Sequence, residues 1–317
     1  MKGLLNVLLV ALLCVGVVSC GKKDGSAGGG KKLKIGILAP AVTHGWVAGV
    51  AFYAEQRCKE LADTVEYKVC TSESAEQMTN QLDELQAWGA QSVVAFPQWE
   101  GMEAPIGRAI KAGVHIVNFD IAINVDGVYR VSGDNEGMGR ASADYIVEKA
   151  GKEPVVVLLP VPTSGSVSSL RMKGFNERIR EIAPNAKLIE QATKFTQEDG
   201  LKDFADVLTK HPRIDAVFSL DDETSMGVLQ AIREANRKDI KVVTGGGGCQ
   251  KYFKLMPESQ DLWIQSALYS PSMVIDAVNM ACDLAAGKAV AEKVRIIPTK
   301  VVDRTNCAEQ LNANSPY

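Results

Sequence analysis

The sequence predicts an α/β protein of two similar lobes, each a doubly wound parallel sheet with helices on both faces. Three observations lead to this fold class. Short apolar stretches alternate with helical stretches of about 10 to 15 residues, which is the pattern of parallel sheets. The alternation occurs in two successive runs after residue 32. The length of 317 residues corresponds to two domains at roughly 150 residues each.

In the first run, apolar residues at intervals of three or four predict a helix from Trp46 to Leu61. Ser74 and Gln77 form a capping box that begins a second helix. A third helix is predicted over 104–112. The strands of this run are predicted at 33–39, 65–69, 92–96, 115–119 and 128–131.

The second run repeats this plan. Thr196 caps a helix that reaches Lys210, and Ser270 with Pro271 begins the last helix, which closes near Gly287. The other helices are predicted over 137–150, over 168–182 and after residue 221. The strands are predicted at 155–159, 186–191, 216–220, 240–244 and 262–267.

The composition is that of a soluble globular protein, with 23% charged and 46% hydrophobic residues. Thirty-five basic and 38 acidic residues give a formal net charge of −3, and no basic block exceeds two adjacent residues. A nucleic-acid-binding surface would need a basic patch, so we exclude that class. The glycines at 245–248 lack the spacing of nucleotide-binding loops, and we expect no cofactor and no metal.

The first residues have the pattern of an export signal. Lys2 precedes an apolar stretch over 4–18, which is too short for a membrane span of about 20 residues. Ser19 and Cys20 follow it and resemble the lipobox of bacterial lipoproteins. We therefore predict a lipoprotein signal peptide at 1–19, lipidation of Cys20 and a flexible tether at 20–32, outside the cytoplasm at a membrane. An ordinary signal peptide cut elsewhere is the alternative.

Five cysteines remain after Cys14 leaves with the signal and Cys20 takes lipid. Five is odd, so at least one thiol is free unless two chains pair. Export permits disulfides, and Cys58 with Cys70 is the most plausible pair. Buried free thiols are the alternative.

Candidate ligand residues of the first run lie in the strand-to-helix loops, because ligands of such sheets bind beyond the carboxyl ends of the strands. His44 and Trp46 follow the first strand, with a core position for Trp46 as the alternative. Gln98 and Glu100 follow the third strand, where a solvated turn is the alternative. Asp120 leaves an apolar strand, and a ligand hydroxyl or a helix N-terminus would satisfy its carboxylate.

The second run offers a similar set. Arg171 carries a rigid fork of donors for hydroxyl or carboxylate oxygens, and Phe195 can stack on an apolar ligand face. Asp221 and Asp222 end a strand together, so that one can cap the next helix while the other faces a ligand. We expect close backbone approach or a hinge at glycines 245–248.

No catalytic motif is present: the sequence has neither His-Glu-x-x-His nor Gly-x-Ser-x-Gly. Asp120 and Glu100 could form a carboxylate pair for glycoside chemistry, and an exported sugar enzyme is therefore a minor hypothesis. We expect a protein that performs no chemistry.

Together these residues resemble the ribose-type (type I) periplasmic sugar-binding proteins of ABC importers, over about residues 33–302. The markers are the tryptophan loop, Asp120, Ser-Gly-Asp-Asn at 132–135, Arg171-x-x-Gly-Phe175 and Ala-Val-Phe-x-x-Asp-Asp-Glu at 216–223. The resemblance implies two lobes joined by a hinge of three segments, with ligand between them. The first lobe would be 33–132 plus 269–297, and the second 133–268 plus 298–317.

The resemblance also implies roles for single residues. Asp120 would accept hydrogen bonds from sugar hydroxyls, Arg171 would donate to the sugar, and Phe195 would stack on it. Trp46 would flank the sugar ring, and Asp221 stands where ribose binders have asparagine.

Four positions depart from the ribose binders, and each lacks a polar group that those proteins have. They are Ile121, Ser169, Gly246 and Leu268. Ser169 and Gly246 still occupy ligand positions and stay in the candidate set. Because buried polar groups left unpaired cost about 1–3 kcal/mol, we expect another monosaccharide, a sugar alcohol or a furanose signal such as autoinducer-2.

The resemblance therefore implies a lipid-anchored monomer that captures a small polyhydroxylated ligand and delivers it to an ABC permease. The alternative is a sensory binding protein that reports a sugar-like signal to a membrane kinase or chemoreceptor. A DNA-binding repressor is excluded, because the export signal stands where a helix-turn-helix would be.

Overall fold

A computed structural model of the protein describes residues 31–42 and 45–317. The signal peptide, Cys20, most of the predicted tether and His44 lie outside the described residues. Within those described, no helix has both the length and the apolar character needed to cross a membrane.

The described residues form twelve strands and nine α-helices, which alternate along most of the chain. The strands are β1 (Leu33–Pro40), β2 (Val65–Ser72), β3 (Ser92–Ala95), β4 (His115–Phe119), β5 (Tyr129–Gly133), β6 (Val155–Leu159), β7 (Lys187–Glu190), β8 (Ala216–Ser219), β9 (Val242–Gly246), β10 (Trp263–Ala267), β11 (Val294–Ile297) and β12 (Val301–Val302). The helices are α1 (Gly45–Glu60), α2 (Ala75–Trp88), α3 (Glu103–Lys111), α4 (Asn135–Ala150), α5 (Ser166–Ile182), α6 (Gln197–Lys210), α7 (Asp222–Glu234), α8 (Gln250–Leu255) and α9 (Val274–Ala285).

Two six-stranded sheets organise these elements. The first has the order β11-β5-β4-β3-β1-β2, and the second has the order β12-β10-β9-β8-β6-β7. All pairs in the first sheet are parallel. In the second sheet, β12 runs antiparallel to β10 and the other pairs are parallel. The predicted fold class of two doubly wound α/β lobes is confirmed.

Apolar side chains on both faces of each sheet explain why helices cover both faces. In β6, Val156 and Leu158 pack in one cluster with residues of α4 and α5. Their neighbours Val157 and Leu159 pack in another cluster, with residues of α6 and α7. Successive side chains of a strand point to opposite faces, so a continuous apolar strand needs cover on both sides.

The predicted caps form. Ser74 Oγ accepts from the backbone N–H of Gln77 at 3.1 Å, and Thr196 Oγ1 accepts from that of Asp199 at 3.0 Å. Ser270 Oγ accepts from Ser272 N at 3.2 Å, at the 3-10 turn that leads into α9. All ten predicted strands are present with ends shifted by a few residues; β2, for example, extends to Ser72.

Three elements were not predicted: β11, β12 and α8. β11 alternates between exposed and half-buried positions, with Val294 53% exposed, so its sequence lacks the apolar run of a central strand. β12 has two residues and α8 has six. Elements this short show no apolar periodicity in the sequence. They are recognised only by their pairing and packing with other elements.

Cys58 and Cys70 are both free thiols, so the candidate disulfide between them is not formed and the alternative of free thiols holds for this pair. Cys58 belongs to the core cluster on the α1 and α9 face of the first sheet. Cys70 packs in the cluster on the opposite face, with residues of α2 and α3. The sheet separates the two sulfurs. Burial raises the pKa of Cys58 to about 12, which makes its thiolate scarce and the thiol unreactive.

The chain passes between the two sheets three times. It leaves the first sheet after β5, returns from β10 to α9, and moves again between β11 and β12. These passages lie close to the predicted hinge segments. The precise lobe boundaries stay a prediction.

Candidate functional site

A cavity of about 600 Å³ lies at the carboxyl ends of strands from both sheets. Its walls come from the loops after β1, β3 and β4 of the first sheet and after β6, β7, β8, β9 and β10 of the second. Eight predicted ligand residues line it: Trp46, Gln98, Glu100, Asp120, Arg171, Phe195, Asp221 and Gly246. Parallel strands bring these loops together because their carboxyl ends share one edge.

Trp46 lines the cavity from the first turn of α1, yet it is also a core residue, only 8% exposed. Its Nε1 donates to the carbonyl oxygen of Tyr269 at 2.7 Å. One ring face lies parallel to Phe119, with centroids 6.1 Å apart, and Phe96 meets it edge-on. Trp46 is therefore both a core residue, as the alternative stated, and part of the cavity wall.

Asp120 has an uncommon backbone conformation, with φ of 64° in the left-handed region. Arg130 Nη2 donates to the carbonyl oxygen of Asp120 at 2.9 Å. The backbone N–H of Asp120 donates to Val131 O at 3.0 Å. The Asn118 side chain fixes the following turn: Nδ2 donates to Ile121 O at 2.9 Å and Oδ1 accepts from Ile123 N at 3.3 Å. Such strain costs about 1–3 kcal/mol and is typical of functional sites.

Tyr269 is a central residue of the site that sequence reasoning missed. Its hydroxyl donates to Asp120 Oδ1, accepts from Asn135 Nδ2 at 3.2 Å and lies 3.2 Å from Ser132 Oγ. Burial and the Asp120 carboxylate raise the pKa of this hydroxyl, so it remains a proton donor. Its position after β10, on the second passage between the sheets, was the available signal.

Arg171 is 6% exposed and extends from α5 to the same network. Its Nε donates to Asn135 Oδ1 at 2.8 Å, and its Nη1 donates to Leu220 O at 2.7 Å. The guanidinium lies 4.7 Å from the ring centroid of Tyr269 and 5.9 Å from that of Phe195. Asp120, Tyr269, Asn135 and Arg171 thus form one buried hydrogen-bonded chain between the two halves of the cavity.

The two aspartates after β8 divide their roles differently from the prediction. Asp221 lines the cavity and also caps α7, accepting from Glu223 N and Thr224 N at 3.1 and 3.2 Å. Asp222 is fully buried and does not line the cavity. Its Oδ2 accepts from the N–H groups of Gly248 and Cys249 at 2.8 Å and from Ser266 Oγ at 2.9 Å.

The four glycines at 245–248 form the loop that Asp222 holds. Gly247 and Gly248 have φ of 129° and 103°, which side chains other than glycine rarely adopt. An added Cβ on Gly248 would lie 2.8 Å from Leu268 Cδ1. An added Cβ on Gly246 would lie 3.2 Å from the backbone oxygens of Leu220 and Ala267, which agrees with close backbone approach at this loop. The alternative of a hinge stays a prediction.

The remaining candidates lie in different surroundings. Gln98 and Glu100 are exposed at the rim, while Phe195 is half-buried. The prediction for Ser169 is not supported: it is exposed, its hydroxyl donates to Ser166 O at 3.2 Å, and it does not line the cavity. Ser169 precedes Arg171 by two helical positions, which turns it about 200° away.

The two carboxyls suggested for glycoside chemistry differ in their exposure to solvent. Asp120 is 5% exposed and hydrogen-bonded to Tyr269, whereas Glu100 is exposed. Within residues 31–42 and 45–317, no three His, Cys, Asp or Glu side chains are grouped to hold a metal ion. The cavity supplies carboxylates, a guanidinium, hydroxyls and aromatic rings, which is a set for hydrogen bonding and stacking.

Comparison with known proteins identifies relatives of this chain. A family model described as a periplasmic binding protein domain matches residues 35–289. The ribose import binding protein RbsB of Salmonella typhimurium is 32% identical over 143 residues, which are 44% of this chain and 48% of that protein. The chain thus matches about half the length of the first curated relatives.

Two solved structures share the fold. A periplasmic solute-binding protein of an ABC transporter from Actinobacillus succinogenes, with bound D-allose, has a TM-score of 0.80 at 20% identity, covering 88% of this chain and 100% of that one. A solute-binding protein from Mycobacterium smegmatis, with bound glycerol, has a TM-score of 0.80 at 22% identity, covering 90% and 99%.

Proposed function

Because this chain belongs to the family of periplasmic binding protein domains, we propose that it is an extracytoplasmic solute-binding protein. It captures a monosaccharide or polyol in the cavity between its two sheets and delivers it to an ABC importer. The observation that carries this proposal is the buried chain of Asp120, Tyr269, Asn135 and Arg171 beside that cavity. The relatives that bind ribose, D-allose and glycerol support a polyhydroxylated ligand.

The chemistry of the wall suits such a ligand. Asp120 and Asp221 offer carboxylate oxygens that accept from hydroxyl groups, and charge-assisted hydrogen bonds are about twice as strong as neutral ones. Phe195 offers a half-buried ring for the apolar face of a sugar. The cavity volume of about 600 Å³ lies within the range of small-molecule sites.

The wall after Asp120 argues against ribose. Residues 121–123 are Ile, Ala and Ile, and all three line the cavity. They offer apolar side chains where ribose binders have an arginine. Hydroxyl groups facing this wall would lose their hydrogen bonds to water without replacement. We therefore propose another monosaccharide, a sugar alcohol or a furanose signal of the autoinducer-2 kind.

The predicted signal adds the cellular setting of this proposal. Lipidated Cys20 would attach the protein to a membrane outside the cytoplasm. Residues 20–32 would act as the tether. The twelve residues that follow Cys20, at 21–32, have a root-mean-square reach of roughly 20 Å. A tethered monomer could then present both lobes to a permease.

Thermal unfolding tests the binding function. Residues 31–317 are melted with pentoses, hexoses, polyols and autoinducer-2, and one of them should raise the melting temperature. A ligand at 100 times its Kd adds about 2.7 kcal/mol of stability, which is several degrees. Asp120→Ala should abolish the shift, while Asp126→Ala, at an exposed position outside the cavity wall, should keep it. A panel without any shift would contradict the proposal.

A further inference from the structure

Residues 304–317 return to the cavity after the last strand. Gln250 of α8 holds this segment from two sides: its Oε1 accepts from Asn312 N at 2.6 Å, and its Nε2 donates to Gln310 O at 3.2 Å. Cys307 is buried in the core cluster. The segment is thus anchored at α8, which begins directly after the glycine loop of the second sheet.

Tyr317 lies in the wall of the cavity and is 5% exposed. On one side it contacts the first turns of α1: an ideal Cβ on Gly45 would lie 3.0 Å from Tyr317 Cδ2, and one on Gly49 would lie 3.4 Å from Tyr317 Cβ. On the other side, an ideal Cβ on Gly247 would lie 2.5 Å from its hydroxyl oxygen and 3.2 Å from its ring carbon Cε1. Three glycines, on elements of both sheets, leave the space that this side chain fills.

We propose that Tyr317 is a ligand-affinity determinant that joins the two lobes across the cavity, in a contact we term the Tyr317 bridge (Tyr317 with Gly45, Gly49 and Gly247). The inference rests on the proposed function, since it assigns this residue a part in the same site. α1 packs on the first sheet, whereas Gly247 follows β9 of the second. A hinge motion that opens the cavity must therefore separate the ring from one of its two sides.

The energetic consequence follows from burial. A buried aromatic side chain loses apolar contact when one of its walls moves away, so the Tyr317 bridge favours the closed arrangement. A ligand that binds between closed lobes gains affinity when the closed state is more populated in advance. Burial and the neighbouring carboxylates of Asp221, Asp222 and Glu223 raise the pKa of the Tyr317 hydroxyl, which keeps the group neutral and able to remain in this position.

The test uses the full chain with three variants. Tyr317→Ala removes the ring, Tyr317→Phe keeps it, and Leu311→Ala alters an exposed apolar residue of the same segment. The radius of gyration without ligand is measured by small-angle X-ray scattering, and the Kd for the sugar or polyol found by thermal unfolding is measured by calorimetry. We expect a larger radius and an affinity reduced about tenfold or more for Tyr317→Ala. Tyr317→Phe and Leu311→Ala should stay close to the wild-type chain.

Each outcome decides one question. An unchanged radius and a Kd within about twofold for Tyr317→Ala would overturn the Tyr317 bridge. If Tyr317→Ala fails to fold, Tyr317→Leu fills the space without a ring: wild-type affinity for this variant would reduce the residue to core packing and refute the inference. If the wild-type chain binds no sugar or polyol, the proposed function fails, while the scattering comparison still decides whether Tyr317 holds the lobes together.

Discussion

At the scale of single residues, Asp120 shows how the site is built. A left-handed backbone at a residue other than glycine persists only where its surroundings impose it. Here the Arg130 guanidinium holds its carbonyl and the Asn118 amide holds the next turn. Tyr269 then fixes one oxygen of the carboxylate. The orientation of this candidate ligand residue is therefore established before any ligand arrives.

Tyr269→Phe tests this orientation. The variant keeps the ring beside Arg171 but removes the hydroxyl that contacts Asp120 and Asn135. A hydrogen bond to a charged group contributes about 1.5–3 kcal/mol, so we expect ligand affinity to fall by about tenfold or more. Tyr67→Phe, at a half-buried position of β2 away from the cavity, is the matched control in the same titration. Equal affinities for the two variants would refute the positioning role of Tyr269.

At the scale of elements, Asp222 connects α7 to the glycine loop at 245–248. Desolvation raises the pKa of this buried carboxyl from 3.8 to about 7, although three donors act in the opposite direction. The folded protein therefore holds a proton there that the unfolded chain releases near pH 4. The stability that this proton contributes is complete below the unfolded pKa and is lost as the pH rises through about 7.

Asp222→Asn removes this titration while keeping an oxygen that can accept from Gly248 and Cys249. Urea unfolding of both proteins at pH 5, 6.5 and 8 should show the wild-type chain losing stability relative to the variant as the pH rises. Asp63→Asn, at an exposed position, serves as the control and should follow the wild-type chain. A stability difference that is constant with pH would contradict the raised pKa of Asp222.

At the scale of the whole molecule, passages of the chain and the side chains beside them join the two sheets. Tyr269 lies on one passage and contacts residues of β5 and α4, and the Tyr317 bridge adds a contact across the cavity. Closure around a ligand is the expected motion of such a hinge. Both tyrosines lie at positions where this motion would change their contacts.

The predicted lipid anchor concerns the whole molecule as well. A signal peptidase product lipidated on Cys20 should partition with membranes, and Cys20→Ser should release it into the soluble fraction after cell lysis. Two acyl chains give stable attachment whereas one gives marginal binding. Fractionation and immunoblotting of both proteins, expressed with residues 1–19, measure this difference. Ser19→Ala, which keeps a small residue before the cysteine, is the control that should remain with the membranes.

The sequence by itself determined the order of the main elements, their caps and the edge at which the site would form. These follow from local rules: apolar periodicity defines strands and helices, and parallel strands bring their following loops together. For this reason Asp120, Phe195 and Asp221 could be named from their positions after strands, and Arg171 from its place near the start of the helix that follows β6.

The tertiary structure alone decided which side chains contact one another across the fold. The hydroxyl of Tyr269 contacts a residue 149 positions away, and Tyr317 meets glycines of α1 and of the loop after β9. It also placed Ser169 on the outer face of α5 and put Cys58 and Cys70 on opposite faces of one sheet. Such contacts depend on how complete elements pack, and no local pattern in the chain encodes them.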